Sequence, residues 1–560
     1  MSAKKSSKKS STKSSKKAVA GRAAQKRSAK SPTKAAKGGA KSGAARAVMT
    51  KAASKVSTKL GAPRAFAATA SLTTKKVESI EAQEIKIKYL DQAYKFSEAR
   101  RNDEIHPRKA LPKPPAGPKV MDMLPTAPLA FEDSVSPAAL DMLMTNPLTP
   151  TDTISLVKNV QLSDVATADT ASHVCEPSAA INGSTVFYTG NWFAALSTDG
   201  GTTFKFVDPF TTFPNPPGMS FCCDQVVHYI KSIDTFVWLL QYTRDSTGKN
   251  IQRIAYATTA RVRTGSWRFF DITPASVGLS AGIWLDFPDL ATGTNMLYMT
   301  SNAFTSAGAW RASTVVRIRL TSFTTNVLSA TSTLSTTNPS LRVAQNCGTT
   351  AFFVAHNSTS SLRVFRWPEA SATPTFTDVT VASWSSGPYS SLTPDGRNWL
   401  ARADGRHTGA TLAGNELWFA WNSAKGGANA RPQPFIQIAR INATNMSLIQ
   451  NVNLWDPNSA LAYAALSTNV NNEVGASYTI GGGTRFPTHV VAILTGTPRH
   501  VTTFTGTRGP ADNKWGDYLS VRRNYANERL FSATGYTLQS GAGNSDATPN
   551  FTIFGRSSEI

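Results

Sequence analysis

At 560 residues and 41% hydrophobic content, the chain is too long for one ordinary core unless the fold repeats a unit. Its formal charge of +24 is uneven. Of the 59 Lys and Arg, 21 lie in residues 1–77, which hold no Asp or Glu, leaving 38 basic against 35 acidic residues in the remainder. Net charge therefore excludes the folded part as the polyanion binder and assigns that role to the tail. No apolar run approaches the ~18 residues of a membrane helix, and the amino terminus opens on lysines, not on a signal-peptide core. A soluble chain without a classical signal peptide is expected. An acid-free transit peptide is the alternative reading of the tail, and the compartment stays open. Four cysteines, Cys175, Cys222, Cys223 and Cys347, make no disulfide framework. The adjacent pair Cys222 and Cys223 is expected as two reduced thiols on a strand, with a vicinal disulfide as the alternative.

Residues 1–77 are Lys, Ser, Ala and Thr of low complexity. They bury too little apolar surface to offset backbone entropy, so they read as a disordered basic tail. Such a tail binds nucleic acid or another anionic surface by releasing counterions, with steep salt dependence and no sequence preference. From Val77 to Glu104, the spacing of Ile80, Ile87, Leu90, Ala93 and Phe96 predicts one amphipathic helix. Pro107 ends it, and Pro112, Pro114, Pro115 and Pro118 continue as a stiff linker within a segment assigned to residues 78–150.

From residue 151 to 560, charge density falls and helical periodicity is lost. A small polar turn followed by an aromatic, β-branched strand recurs seven times, about 50 to 65 residues apart. The strands are Thr185–Gly190, Phe236–Tyr242, Met296–Thr300, Ala351–Asn357, Glu416–Trp421, Val474–Tyr478 and Arg529–Gly535. That period predicts an all-β fold, a β-propeller of seven four-stranded blades, with six as the alternative count. Ring closure in such a fold borrows a strand from the far end of the domain, and Thr153–Val157 is placed for it. Trp192, Trp238, Trp418 and Trp421 are read as packing between blades.

Ser197-Thr198-Asp199-Gly200-Gly201-Thr202-Thr203-Phe204 follows the strand around Trp192–Leu196, where a blade hairpin turns. Asp accepts bonds from the turn amides, and Gly permits the tight backbone. The octapeptide resembles the Asp-box (BNR) repeat of the sialidase-like propellers. In that family the box is structural, so the resemblance leaves Asp199 without a chemical role. Thr393 to Trp399 is a degenerate second copy, its aromatic one position early. No Arg-Ile-Pro motif is present, so the resemblance assigns no carboxylate-binding arginine triad.

In a propeller the innermost strand of each blade borders a central channel, and the segments entering those strands surround a funnel. The residues just upstream of the seven recurring strands are therefore the candidates. Asp224, Asp289, Asp517 and Tyr518 are assigned to catalysis, with Glu176, Arg342, Arg406, His407 and Tyr463 to substrate binding. Arginines suit an acidic or polyhydroxylated sugar, and paired carboxylates can act as acid and base at a glycosidic bond. The same carboxylates offer oxygens to Ca²⁺ as an alternative, although no cofactor is required. No His/Cys spacing suggests zinc, and neither a Gly-x-Ser-x-Gly elbow nor a Walker loop is present. Two functions follow. One is a sialidase-like propeller that binds, and in the fuller form cleaves, a glycan while its tail holds an anionic surface. The other is a non-catalytic protein-interaction scaffold with a nucleic-acid-binding tail.

Overall fold

The computed structural model describes residues 72–94, 110–131, 153–168, 170–172, 174–539 and 547–560. Residues 1–71, which carry most of the basic tail, lie outside them. Seven antiparallel sheets form a seven-bladed β-propeller. The innermost strands are Ser178–Asn182, Phe221–Ile230, Ile283–Thr292, Arg342–Val343, His407–Ala413, Ala460–Thr468 and Ser520–Arg523, in blades 1 to 7. The last blade is completed on its outer edge by Ile154–Gln161, which pairs with Ala547–Arg556 and closes the ring. The strand anticipated at Thr153–Val157 is this one.

Each recurring aromatic strand is the second strand of its blade: Thr185–Gly190, Thr235–Tyr242, Met296–Thr305, Thr350–Ser358, Glu416–Ser423, Val474–Gly482 and Phe531–Leu538. That position is flanked by strands on both sides and by other blades on both faces. It is therefore apolar along nearly its whole length instead of alternating. Phe187 of blade 1 meets Trp238 and Trp267 of blade 2, each with ring centres 5.0 Å apart, while Trp418 and Trp421 are buried in blade 5.

The amphipathic helix expected from Val77 is corrected over its described part. Leu72–Lys76 is a strand that pairs with Ala330–Ser335 and adds a fifth strand to blade 3. Gln83–Lys86 does the same for blade 2 against Ser266–Phe269. Leu90 then exchanges two backbone hydrogen bonds with Phe206 at the edge of blade 1. The apolar spacing that fits a helix fits this belt equally, because Val77 and Ile87 dip into the seams between segments that pair with successive blades. Strand edges offered unpaired backbone groups, and the chain satisfied them. The tail boundary moves accordingly, since residues 72–77 belong to blade 3.

The cysteine expectation is also corrected, because Cys222 and Cys223 form a disulfide within the innermost strand of blade 2. Pairing with the second strand is interrupted there, between Phe221 and Gln225, so the bridge sits in a bulge. Among the described residues, no helix is long and apolar enough to cross a membrane.

A chain beginning at residue 95 lacks the belt, exposes two sheet edges and loses the burial of Val77 and Ile87, each worth about 1.5–3 kcal/mol. It is expected to melt several degrees below a chain beginning at residue 72 and to aggregate more readily, as calorimetry and light scattering would show. Equal melting temperatures would remove the belt's structural role.

Candidate functional site at the channel mouth

All seven inner strands run in one direction, so their starts share one face of the ring. The turns between second and third strands and the loops linking blades lie on that face, and the turns between third and fourth strands lie on the other. The Ser197–Phe204 turn joins the third and fourth strands of blade 1 and so lies opposite the mouth. There Asp199 accepts from the amides of Thr202 (2.9 Å) and Thr203 (3.0 Å) and from the hydroxyls of Ser197 (2.7 Å) and Thr203 (2.6 Å). Slight burial disfavours its charge, but these donors outweigh it and hold the carboxyl well below the usual range. The Thr393–Trp399 segment occupies no such turn. It lies in the long loop on the mouth face that leads into blade 5.

At the mouth the backbone departs from regular pairing. Bulges interrupt the inner strands of blades 2, 3, 5 and 6 near their starts. Glu176, Phe287 and Tyr463 adopt left-handed φ of 49°, 52° and 64°. Such departures re-aim side chains and concentrate at sites of function. Glu176, entering blade 1, accepts the Asp517 amide at 2.6 Å and the Asn191 side-chain amide at 2.8 Å. Asp517, entering blade 7, lies 3.6 Å from the Arg406 guanidinium, which grips Asp404 at 2.8–3.0 Å. That guanidinium also rests 4.3 Å from the centre of the Phe287 ring, whose far neighbour is Tyr518. Asp286 takes a bond of 3.3 Å from Gln241. Asp224 follows the disulfide in the blade 2 bulge.

These carboxyls crowd one another. Burial, then the Asp517 charge, lifts Glu176 to about 7 against the opposing Asn191 bond. Burial lifts Asp286 to about 6, with Asp517 adding to it, while the Phe287 amide, Arg406 and Arg402 restrain it. Asp224 is pushed well above the carboxylate range by burial and then by Glu176, Asp286 and Asp517. Burial and the charges of Asp224 and Glu176 likewise raise the Tyr518 phenol. Glu176 is closed off at 4% exposure, whereas Asp224 and Asp286 keep partial access to solvent. The Asp404, Asp517 and Asp286 charges raise Arg406 despite its burial, fixing it as a cation.

The structure thus brings together Glu176, Asp224, Asp517, Tyr518 and Arg406 from the sequence-derived set. It adds Asp286, Arg402 and Asp404. Asp286 opens the Asp286-Phe-Pro-Asp289 segment and was readable there, whereas Arg402 and Asp404 belong to a loop without strand signal. Asp289 and Arg342 lie deeper, Asp289 about 7 Å along the strand from Asp286, since the bulge makes these three steps span two residues of the partner at 3.3 Å each. They form a buried ion pair at 3.1 Å, beside Arg522, whose guanidinium burial brings down to about 10. His407 follows Arg406 by one residue and faces the other way. Its ring stacks on His356 at 4.1 Å and meets Trp421 at 5.4 Å, between blades 4 and 5. The Tyr463 ring packs toward Trp399, and its amide donates to Asn422. Among the described residues, no three His, Cys, Asp or Glu side chains are grouped to hold a metal ion.

No family model and no curated protein matches the sequence. Solved structures do. An α-L-arabinofuranosidase from Fusarium graminearum, in complex with an iminosugar inhibitor, is 11% identical over 69% of this chain and 94% of its own, with a TM-score of 0.35. An α-L-arabinanase from Penicillium chrysogenum, complexed with arabinobiose, is 9% identical over the same shares, with a TM-score of 0.34. A sialidase from Trypanosoma rangeli is 8% identical over 54% of this chain and 51% of its own, with a TM-score of 0.32, so the match spans about half of that protein. Likeness at this level bears on neither substrate nor chemistry.

Breaking the deep pair separates structural from ligand-binding roles. Arg342→Ala leaves Asp289 buried without its partner and is expected to cost about 3–5 kcal/mol in urea denaturation. A variant of unchanged stability would return Arg342 to the candidate binding set.

Proposed function

We propose that the mouth binds a neutral glycan and cleaves a glycosidic bond, with Asp224 as the acid and Asp286 as the second carboxylate. The observation that carries this reading is the divergence of the two partly open carboxyls. Burial, and then the charges of Glu176, Asp286 and Asp517, push Asp224 well above the carboxylate range, while the Phe287 amide and two arginines restrain Asp286 to about 6. A pair pushed apart in this way divides the acid and base tasks of glycoside hydrolysis. Asp224 gives its proton to the departing oxygen, and Asp286 takes a proton from the water whose oxygen bonds to the anomeric carbon, so the glycosidic C–O bond breaks as a C–OH bond forms. Glu176 serves as scaffold, since both its oxygens are engaged within the protein.

The balance of charge selects the substrate class. Among the described residues, Glu176, Asp224, Asp286, Asp404 and Asp517 stand with Arg402 and Arg406, and Arg406 is already held by two carboxylates. Arg342 is likewise engaged, by Asp289. An acidic sugar finds repulsion there, whereas hydroxyls find acceptors. Of the two sugar classes anticipated from sequence, this favours the polyhydroxylated one over the acidic one.

Reducing-sugar release from neutral oligosaccharides tests the assignment. Asp224→Asn is expected to slow it by about 100- to 10,000-fold, with a smaller loss on 4-nitrophenyl glycosides, whose leaving group needs less protonation, and with binding retained in calorimetry. Activity should fall below pH about 6 as Asp286 takes up a proton, and fall again at higher pH as the raised Asp224 carboxyl loses one. Equal losses on both substrate types would remove Asp224 as the acid. Absence of both binding and release across neutral glycans would favour the protein-interaction scaffold instead.

A further inference from the structure

The segment read from sequence as a linker builds a cleft. Residues 110–131 run across the mouth face of the ring from blade 4 toward blade 6 and are tied down along the way. The Thr359 amide donates to Pro115 O at 2.9 Å, and the Gly117 amide donates to the Thr359 hydroxyl at 3.0 Å. Ser383 and Val120 exchange bonds of 2.7 and 2.9 Å, and Trp455 donates to Thr126 O at 2.8 Å. Gly117 is pressed against the hairpin of blade 4 so closely that a β-carbon there would lie 2.1 Å from Ser360 Oγ and 2.5 Å from Ser358 Oγ.

Upstream of that anchor, Ala110–Pro115 roofs a cleft of about 570 Å³. Its floor carries Trp384, Pro388 and Tyr389, and its rim carries Lys113 and Arg363. Its lining includes Asp404 and Arg406, and the Arg406 guanidinium that grips Asp404 also reaches Asp517 at the mouth. The cleft and the carboxyl cluster thus adjoin through Arg406. The volume falls in the range that encloses a drug-sized ligand, which is more than one sugar ring. Pyranose and furanose rings present C–H faces to proline and aromatic surfaces and hydroxyls to a polar rim. The prolines keep the roof extended without leaving amide donors unsatisfied inside the cleft.

We infer that this strap makes the protein selective for oligosaccharides, the mouth holding the unit at the reacting bond and the cleft holding further units of the same neutral chain. The inference rests on the glycan reading of the mouth and adds a length requirement to it.

Calorimetry with the Asp224→Asn protein, which should bind without cleaving, tests it on β-1,4-xylo-, α-1,5-arabino- and β-1,4-gluco-oligosaccharides of two to six units. With the strap intact, affinity for the recognised series should rise at least 10-fold from the disaccharide to the tetrasaccharide. Gly117→Val, which lifts the strap off blade 4, should reduce that rise to less than 2-fold and leave disaccharide affinity unchanged. A second variant, with Pro112, Pro114 and Pro115 each replaced by Gly, loosens the roof without touching the anchor and should do the same, which covers the case of Gly117→Val failing to fold. Length-independent affinity in the intact protein, or a rise that survives in the strap variants, overturns the inference and leaves the glycan reading standing. Absence of binding by all three series overturns both.

Discussion

Everything at the mouth depends on one geometric constraint, that seven strands begin at the same rim of a closed ring. Closure is made by Ile154–Gln161 against Ala547–Arg556, one end of the domain completing the sheet of the other. Residues far apart in the chain are thereby held at bonding distance. The Asp517 amide reaches the Glu176 carboxylate across 341 positions of sequence. A single isolated sheet could not hold Glu176, Asp224, Asp286 and Asp517 together, since like charges would part by flexing. A ring packed blade against blade gives them no room to do so, and burial, with the mutual repulsion added to it, raises the proton affinity of Glu176, Asp224 and Asp286.

The channel shows what the protein does with charge when no such crowding is retained. In the deeper layer Asp289 is matched by Arg342, with Arg522 beside them, and His228 is kept neutral by burial and by Arg522. There one carboxylate serves two buried arginines, and the burial of Arg522 brings its guanidinium down to about 10. A few residues nearer the rim, acids outnumber arginines and backbone bulges replace regular pairing. An excess of arginine in one layer and of acid in the next, along the same strands, is the contrast that singles out the mouth.

Much of this was legible in the sequence, and the exceptions have physical causes. The second strands announced themselves because both their faces are covered, so aromatic and β-branched residues run on without interruption. Glu176, Asp224, Asp517 and Arg406 followed once the strands after them were placed. His407 was misread because strand side chains alternate, so the neighbour of a mouth residue faces the blade interior. Asp289 was named and Asp286 was not, and the bulge between them breaks that alternation, so an irregular residue left no periodic trace. Arg402 and Asp404 sit in a loop of 26 residues between strands, where no pattern points anywhere. The helix expected at Val77 failed for a different reason. An amphipathic spacing states which side chains are buried, not which backbone supplies the hydrogen bonds, and here blades 2 and 3 supplied them.

That last error leads to the least expected property of the chain. Residues 72–94 and 110–131, which composition separates from the propeller, are part of its surface in two different ways. The first piece pairs as strand where sheet edges are open, because Leu72–Lys76 and Gln83–Lys86 carry a full set of backbone donors. The second piece is rich in proline, which has no amide hydrogen to give, and so it cannot extend a sheet. It crosses the mouth face as a strap instead, held at intervals by side chains such as Thr359, Ser383 and Trp455. The same missing donors that exclude it from the blades let it span an open cleft without unsatisfied groups. Composition therefore decides which piece closes an edge and which piece leaves room beneath it, and the room opens beside the carboxyl cluster.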